Sequence, residues 1–494
     1  MVTSQMNLKS NVKAFLEQAV GLYINGEYVP AKNGRTFPVY NPATEEVLVE
    51  VSEAQGEDVD LAVNAAKKAF ESGEWPRLSA AERSHLIYKF ADLLEAHKEE
   101  LAQLETLDNG KPYHVALEDD IAGTVEHFRY YAGWATKVLG QTVPISPDYL
   151  NYTVHEPVGV VGQIIPWNFP LSMASWKLGS ALATGCTTVL KPAEQTPLSI
   201  LYAAQLLEEA GFPKGVVNIV PGYGEIAGEA IVTHSGIDKL AFTGSTSVGK
   251  SIMCKAAEHV RDVTLELGGK SPNLILEDAD VEKAMVGAFE GIMYNQGQNC
   301  SATSRVYVHR KHYDRVVEAL VERANATKLG NGLEADTDMG PLVSKEQFER
   351  VLHYIEIGKE EGAKLVAGGE SVGNKGYFVK PTVFADVEDD MRIAREEIFG
   401  PVVAVFQFDT TEEAIRRAND SHYGLAAAVW TENIRTGHQV ARRLKAGTVW
   451  INDCNQENPA AAFGGYKQSG IGREMGNYAL DNYTEVKSIW VNLQ

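Results

Sequence analysis

Cys300 lies in the run Asn295-Gln296-Gly297-Gln298-Asn299-Cys300-Ser301, just beyond an apolar helical stretch and inside a turn of small and amide-bearing residues. A reactive thiolate needs partial exposure and nearby N–H or positive dipoles, and such a turn offers backbone amides. The competing use of a cysteine is small core filler. Glu266 closes an apolar stretch in Thr264-Leu265-Glu266-Leu267-Gly268-Gly269-Lys270. A carboxylate is costly to bury alone, so an acid there is either paired or kept as a base with a raised pKa. The two glycines behind it let the backbone pass close to a ligand. Asn168 follows Pro166-Trp167 at the carboxyl end of a strand candidate, where open α/β sheets bind their ligands. Its amide can donate to a developing oxyanion, or it can be a plain turn asparagine.

Two further runs suit a dinucleotide. Leu190-Lys191-Pro192-Ala193-Glu194 ends the next strand candidate, and an acid there can bind ribose hydroxyls, the bland reading being two solvated loop charges. Gly244-Ser245-Thr246-Ser247-Val248-Gly249 can hold a pyrophosphate at a helix N-terminus, although it is not the full G-x-G-x-x-G pattern.

The elements that must position these groups show in the periodicity. Asn25-Gly26 between two short β-type runs predicts a hairpin over 22–29. Apolar residues at three- and four-residue spacing predict surface helices over 57–74, 80–108 and 113–137, and 142–155 predicts a projecting β ribbon. From Val158 the rhythm becomes strand and helix in alternation: strands Val158–Ile165, Thr187–Lys191, Val216–Val220 and Lys239–Phe242, with helices Leu171–Thr184 and Leu198–Ala210. After Gly268-Gly269 it restarts with strand Asn273–Leu276, helix Val281–Tyr294, strand Arg305–His309 and helix His312–Ala326. Such alternation predicts parallel βαβ units with helices on both faces. The last run, Val486–Leu493, is a strand that pairs with the ribbon or with another subunit.

At 494 residues the chain is longer than the roughly 250–300 that one core supports. Two or three structural units follow. A formal net charge of −21 repels phosphate backbones and anionic lipid, which argues against nucleic-acid and membrane partners. Cysteines 186, 254, 300 and 454 form neither a close pair nor a metal-ligand cluster, so no metal is expected and the thiols suit a reducing compartment. The first residues show no export signal, which points to the cytoplasm.

Over essentially its whole length the chain resembles the NAD(P)-dependent aldehyde dehydrogenase superfamily. The blocks that carry the resemblance are Pro166-Trp167-Asn168-Phe169-Pro170, Lys191-Pro192-Ala193-Glu194, Phe242-Thr243-Gly244-Ser245-Thr246, Leu265-Glu266-Leu267-Gly268-Gly269, Gln296-Gly297-Gln298-Asn299-Cys300, Glu397-Ile398-Phe399-Gly400-Pro401 and Phe463-Gly464-Gly465. It is most similar to the broad-specificity, non-acylating, homotetrameric members and also to betaine-aldehyde dehydrogenases. The resemblance implies that Cys300 attacks an aldehyde, Asn168 holds the oxyanion, and Glu266 activates water, with Lys177 and Glu474 as a proton relay. It implies NAD as cofactor, with NADP accepted less well. Lys191 and Glu194 would meet the ribose, Ser245 the pyrophosphate, and Glu397 and Phe399 the nicotinamide riboside. Ile165, Pro166, Trp167, Gly224, Phe242, Gly244 and Leu267 would complete that site. Phe169, Trp176, Tyr294 and Phe463 would line a passage for aliphatic or aromatic aldehydes, while Asp120 and Glu457 would favour cationic ones such as betaine aldehyde. It also implies a doubly wound cofactor domain over 1–137 and 157–267 and a second α/β catalytic domain over 268–478. A small β oligomerisation element over 138–156 and 479–494 would build a tetramer as a dimer of dimers. A thiol esterase or acyl transferase would use the same Cys300 and Glu266 without a nicotinamide.

Overall fold

Short apolar strands separated by helices of ten or more residues must be covered on both faces, which forces parallel pairing through helical crossovers. The computed structural model, which describes residues 7–494, contains two such sheets. In the first, Asp262–Glu266, Lys239–Thr243, Val160–Ile164, Thr187–Lys191 and Val217–Ile219 lie side by side in parallel. Chain order runs outward in both directions from Val160–Ile164, so the sheet reverses between that strand and Lys239–Thr243. Ligands bind outside the carboxyl ends of strands at such a reversal. The Leu22–Ile24 and Glu27–Val29 hairpin closes one edge in antiparallel register, with Asn25 and Gly26 at φ 54° and 79° as its turn.

The second sheet is ordered Lys364–Ala367, Thr382–Ala385, Val402–Phe408, Arg305–His309, Pro272–Ile275, Ala426–Trp430 and Thr448–Ile451, parallel except at its first strand. The ribbon strands Thr142–Ser146 and Tyr149–Pro157 form a third, antiparallel sheet with Thr484–Asn492. Of the two pairings open for the last strand, the chain uses the ribbon.

Several boundaries differ from the sequence reading. The helix expected over 80–108 breaks at His97, which separates Ala80–Ala96 from Lys98–Asn109. The helix expected over 113–137 is interrupted by a π turn, Ala116–Ile121, and its last residues, Ala135–Lys137, wind as a 3₁₀ turn. π turns inside helices gather at functional sites because they re-aim side chains. A division at 267/268 assigns Gly470–Ile471 to the second unit, yet this short strand pairs with Asp262–Glu266 and extends the first sheet. Leu333, Leu425, Phe463 and Met475 likewise join the core under the first unit's helices, so the two units share buried surface. Residues 1–6, read for an export signal, lie outside the described residues. No helix among the described residues is long and apolar enough to cross a membrane.

Candidate active site

Between the two sheets opens a cavity of about 1110 Å³, walled by Pro166–Phe169 beyond one central strand and Thr243–Ser247 beyond its neighbour. The site therefore stands at the sheet reversal. Cys300 reaches it from the opposite side, half-buried, on a loop that leaves helix Val281–Met293. Asn295 and Gln296, at φ 49° and 58°, turn that loop through left-handed backbone, which costs about 1–3 kcal/mol per residue unless neighbours hold it. The loop around them is held: Asn295 Nδ2 donates to the Asn168 carbonyl at 2.9 Å, and the Val343 N–H donates to Gln298 Oε1 at 3.0 Å.

Asn168, 4% exposed, donates one amide N–H to the Gln298 carbonyl at 2.9 Å. Its second N–H remains for a ligand. Gly268 and Gly269 matter by what they lack: a Cβ would sit 2.3 Å from Glu397 Oε2 at the first and 2.3 Å from the Cys300 carbonyl at the second. The close approach expected of this pair is thus made to the thiol loop and to Glu397. Glu397 Oε1 accepts from the Gly269 N–H at 2.9 Å, and burial pushes its carboxyl up to about 7.

Glu266 is 2% exposed, and neither carboxylate oxygen has a hydrogen-bond partner among the described residues. Burial first and the Glu474 charge second push its pKa well above the usual carboxylate range, with Lys177 and Arg473 opposing. Lys177 is fully buried, ion-paired with Glu474, and donates to Thr243 Oγ1 at 2.7 Å. Lys177 and Glu474 lie behind the cavity wall; Glu266 is on it.

The turn that carries Cys300 offers its sulfur a backbone amide, at Ser301. Burial pushes the thiol well up, and the charges that act on it, Glu457, Glu397 and Glu266, are all negative; the Ser301 backbone alone opposes.

Among the proposed cofactor residues, Pro166, Trp167, Gly244, Ser245, Leu267, Glu397 and Phe399 line the cavity, and Ile165, Lys191, Glu194, Gly224 and Phe242 lie outside its wall. The second group still follows the same sheet edge, the Ile165 N–H donating to the Lys191 carbonyl at 3.1 Å. Lys191 Nζ is 3.5 Å from Glu194, whose carboxylate is the more exposed of the two. In the passage, Phe169 stacks on Tyr294 at 6.0 Å and Trp176 meets Phe463 edge-on at 5.2 Å. Phe463 supports Trp176 from behind and does not reach the cavity. Asp120 and Glu457 do reach it, but Asp120 is already ion-paired with buried Lys111.

A model of the aldehyde dehydrogenase family matches residues 28–489. The chain belongs to this family. Among solved aldehyde dehydrogenases it is similar to the Bacillus cereus enzyme in complex with NAD+, at 71% identity and a TM-score of 0.99 over 99% of this chain and 100% of that one. Human retinal dehydrogenase 2 is 52% identical over 96% of this chain and 92% of its own length. Betaine aldehyde dehydrogenase of Staphylococcus aureus, in complex with NAD+, is 44% identical with a TM-score of 0.95, over 99% of this chain and 98% of that one.

A dinucleotide fits the residues present. Ser245 caps helix Thr246–Ala256 by accepting from the Val248 N–H, and first-turn amides beyond a cap have no intrahelical partner and suit a phosphate. Trp167 and Phe399 meet edge-on at 5.2 Å beside Glu397. Three residues missed in the sequence brace or line this wall. Arg350 Nη2 donates to the Glu397 carbonyl at 2.7 Å, Gln347 Nε2 donates to the Phe399 carbonyl at 2.6 Å, and Lys250 lines the wall from the capped helix. Their contacts are long-range, and no local spacing announces them.

Proposed function

We propose that this aldehyde dehydrogenase oxidises aldehydes to carboxylic acids, with NAD as hydride acceptor, through a thioester on Cys300. The observation that carries the proposal is one cavity holding a half-buried thiol, an amide with a spare N–H, and a buried carboxylate with no partner. Cys300 gives its proton to solvent through the open cavity, its sulfur adds to the aldehyde carbon as the C=O π bond opens, and the new oxyanion takes the spare Asn168 N–H and the Cys300 backbone N–H. Bound nicotinamide supplies the acceptor for the hydride that then leaves that carbon. Glu266 removes a proton from the water that opens the thioester, and Glu474 and Lys177 pass that proton onward. Lys191 and Glu194 take the ribose hydroxyls, Gly244 and Ser245 the pyrophosphate, and Glu397 and Phe399 the nicotinamide riboside. Ile165, Pro166, Trp167, Gly224, Phe242 and Leu267 shape that site. A carboxylate at Glu194 faces the extra phosphate of NADP unfavourably, so NAD is preferred.

Phe169, Tyr294 and Trp176 suit aliphatic and aromatic aldehydes. A second reading, cationic aldehydes, draws on the acids around the same mouth, among them Asp119, Glu126, Glu290 and Glu457. The lysine and arginine of the wall, Lys250 and Arg350, belong to the cofactor side. The relatives' names include both a retinal dehydrogenase and a betaine aldehyde dehydrogenase, so descent alone does not choose. NADH formation across an aldehyde panel, run with NAD and with NADP, tests the assignment; ester hydrolysis without any NADH would favour a thiol esterase instead.

The described ribbon leaves Val143, Ile145, Tyr149, Leu150, Val486 and Trp490 exposed, which supports assembly into a homotetramer built as a dimer of dimers. All four cysteines are free thiols, which suits the cytoplasm.

A further inference from the structure

Asp120 stands on the passage wall in the π turn Ala116–Ile121, beside Asp119 and facing Glu457 and Tyr294. Unlike the acids at the mouth, it is 4% exposed and already paired. Its partner Lys111 is wholly buried and does not reach the cavity. The same ammonium donates to the Asn168 carbonyl at 3.1 Å and lies 4.4 Å from the centroid of the Phe169 ring. The pairing is fixed by the backbone before it. Gly110 ends helix Lys98–Asn109 at φ 94°, wedged so that a Cβ would come within 2.9 Å of Pro42 and Pro341.

We infer that Lys111 sets the charge preference of the substrate passage by masking Asp120. The inference rests on the proposal that aldehydes approach Cys300 between Phe169, Tyr294 and Trp176. With the pair intact, opposite unit charges nearly cancel at the distance of a bound substrate tail, and this stretch of wall presents a dipole. Without the ammonium, at a pH high enough to keep Asp120 ionised, the wall would present a full negative charge over aromatic faces, the combination that holds quaternary ammonium groups, so the comparison below is made upward in pH until the ratio is constant. The acids at the outer mouth then attract cations, and the inner wall does not select them. Lys111 also supports Asn168, jointly with Asn109 and Asn295, and any disturbance of that support weakens all aldehydes alike.

The test therefore uses a ratio. Betaine aldehyde and 3,3-dimethylbutanal share a shape and differ in one charge, so kcat/KM for the first over the second isolates electrostatics. The intact enzyme is measured with saturating NAD as wild type, Lys111→Met, Asp120→Asn and the double variant, with hexanal as the uncharged reference. If the bulky aldehydes turn over poorly, their inhibition constants against hexanal give the same ratio. Lys111→Met should raise the ratio about tenfold, Asp120→Asn should lower it, and the double variant should return to within about twofold of wild type. Should Lys111→Met fail to fold, the fall in Asp120→Asn decides. An unchanged ratio in the single variants, even with activity lost equally on all aldehydes, overturns masking and leaves Lys111 as a support of Asn168. Failure of the wild type to oxidise hexanal would instead strike the underlying aldehyde oxidation reading.

Discussion

Replacing Glu266 with Gln isolates the hydrolytic half of the proposed reaction. Both native oxygens are buried without partners, so the substitution breaks no hydrogen bond. It adds N–H donors, and Glu474 Oε2, also buried and unpartnered, is an acceptor of the same relay. A donor left unsatisfied costs about 1–3 kcal/mol, too little to unfold a protein with cores of this extent. A positioned general base contributes about 10²–10⁴-fold, or roughly 2.7–5.5 kcal/mol of barrier at 1.36 kcal/mol per tenfold. That loss should fall on thioester hydrolysis, because an amide takes no proton from water, while sulfur addition and hydride departure still occur once. Rapid mixing with NAD and an aldehyde should give a burst of NADH close to one per subunit. The steady rate that follows should be lower by about 10²–10⁴-fold. The physical rival is activation of Cys300 itself, since burial and negative neighbours push the pKa of that thiol up. If burst and steady rate fall together, Glu266 serves the thiol and the hydrolytic assignment is wrong.

Cys300→Ala should abolish aldehyde oxidation and any ester hydrolysis while NAD binding, followed by fluorescence, persists; more than a trace of oxidation would place the nucleophile elsewhere. Glu474→Gln removes the second-largest influence raising Glu266, so the base should stay ionised to lower pH and the rising limb of the kcat profile should move acidward. A limb that stays in place would separate Glu474 from the base. Glu194→Gln should raise the NADP-to-NAD ratio of kcat/KM, because a carboxylate facing the added phosphate costs roughly a few kcal/mol at an effective dielectric near 20 before screening. A ratio equal to that of wild type would leave Glu194 a loop charge beside Lys191. Trp490→Glu, on the exposed ribbon face, should shift the mass measured by light scattering below a tetramer; an unchanged mass would remove the ribbon from the interface.

What the sequence made legible was local. Strands Thr187–Lys191 and Arg305–His309 and helix Leu198–Ala210 lie where their apolar runs and terminal residues put them. Gly185 and Gly211 end their helices at φ 100° and 93°, the left-handed stop that glycine permits. Gly268-Gly269 was readable as a close approach, although what approaches is the Cys300 carbonyl and Glu397. The breaks at His97 and over Ala116–Ile121 were not readable, because helical periodicity continues across both and tertiary contacts decide the interruption. The edge strand Gly470–Ile471 was hidden for a related reason: two residues carry no periodicity, and the pairing partner is far away in sequence.

Charge is where residue type informs least. Asp120 and Glu457 look alike in sequence, two acids able to meet a cation, and both reach the cavity, yet Asp120 is ion-paired with buried Lys111. Glu266 and Glu474 differ in the opposite sense. Glu474 has the lysine, Glu266 has no partner among the described residues, and burial pushes the pKa of the unpartnered one up, the direction that favours holding a proton. The cost of burying a lone carboxyl is met by the packing around it, and it persists only where a neutral or transiently charged form is useful. A buried ion pair, by contrast, contributes little net stability and fixes geometry, as Lys111–Asp120 does behind Asn168 and Phe169. The same chemical groups thus divide into those that react and those that position, and the division follows from which partner the fold supplies.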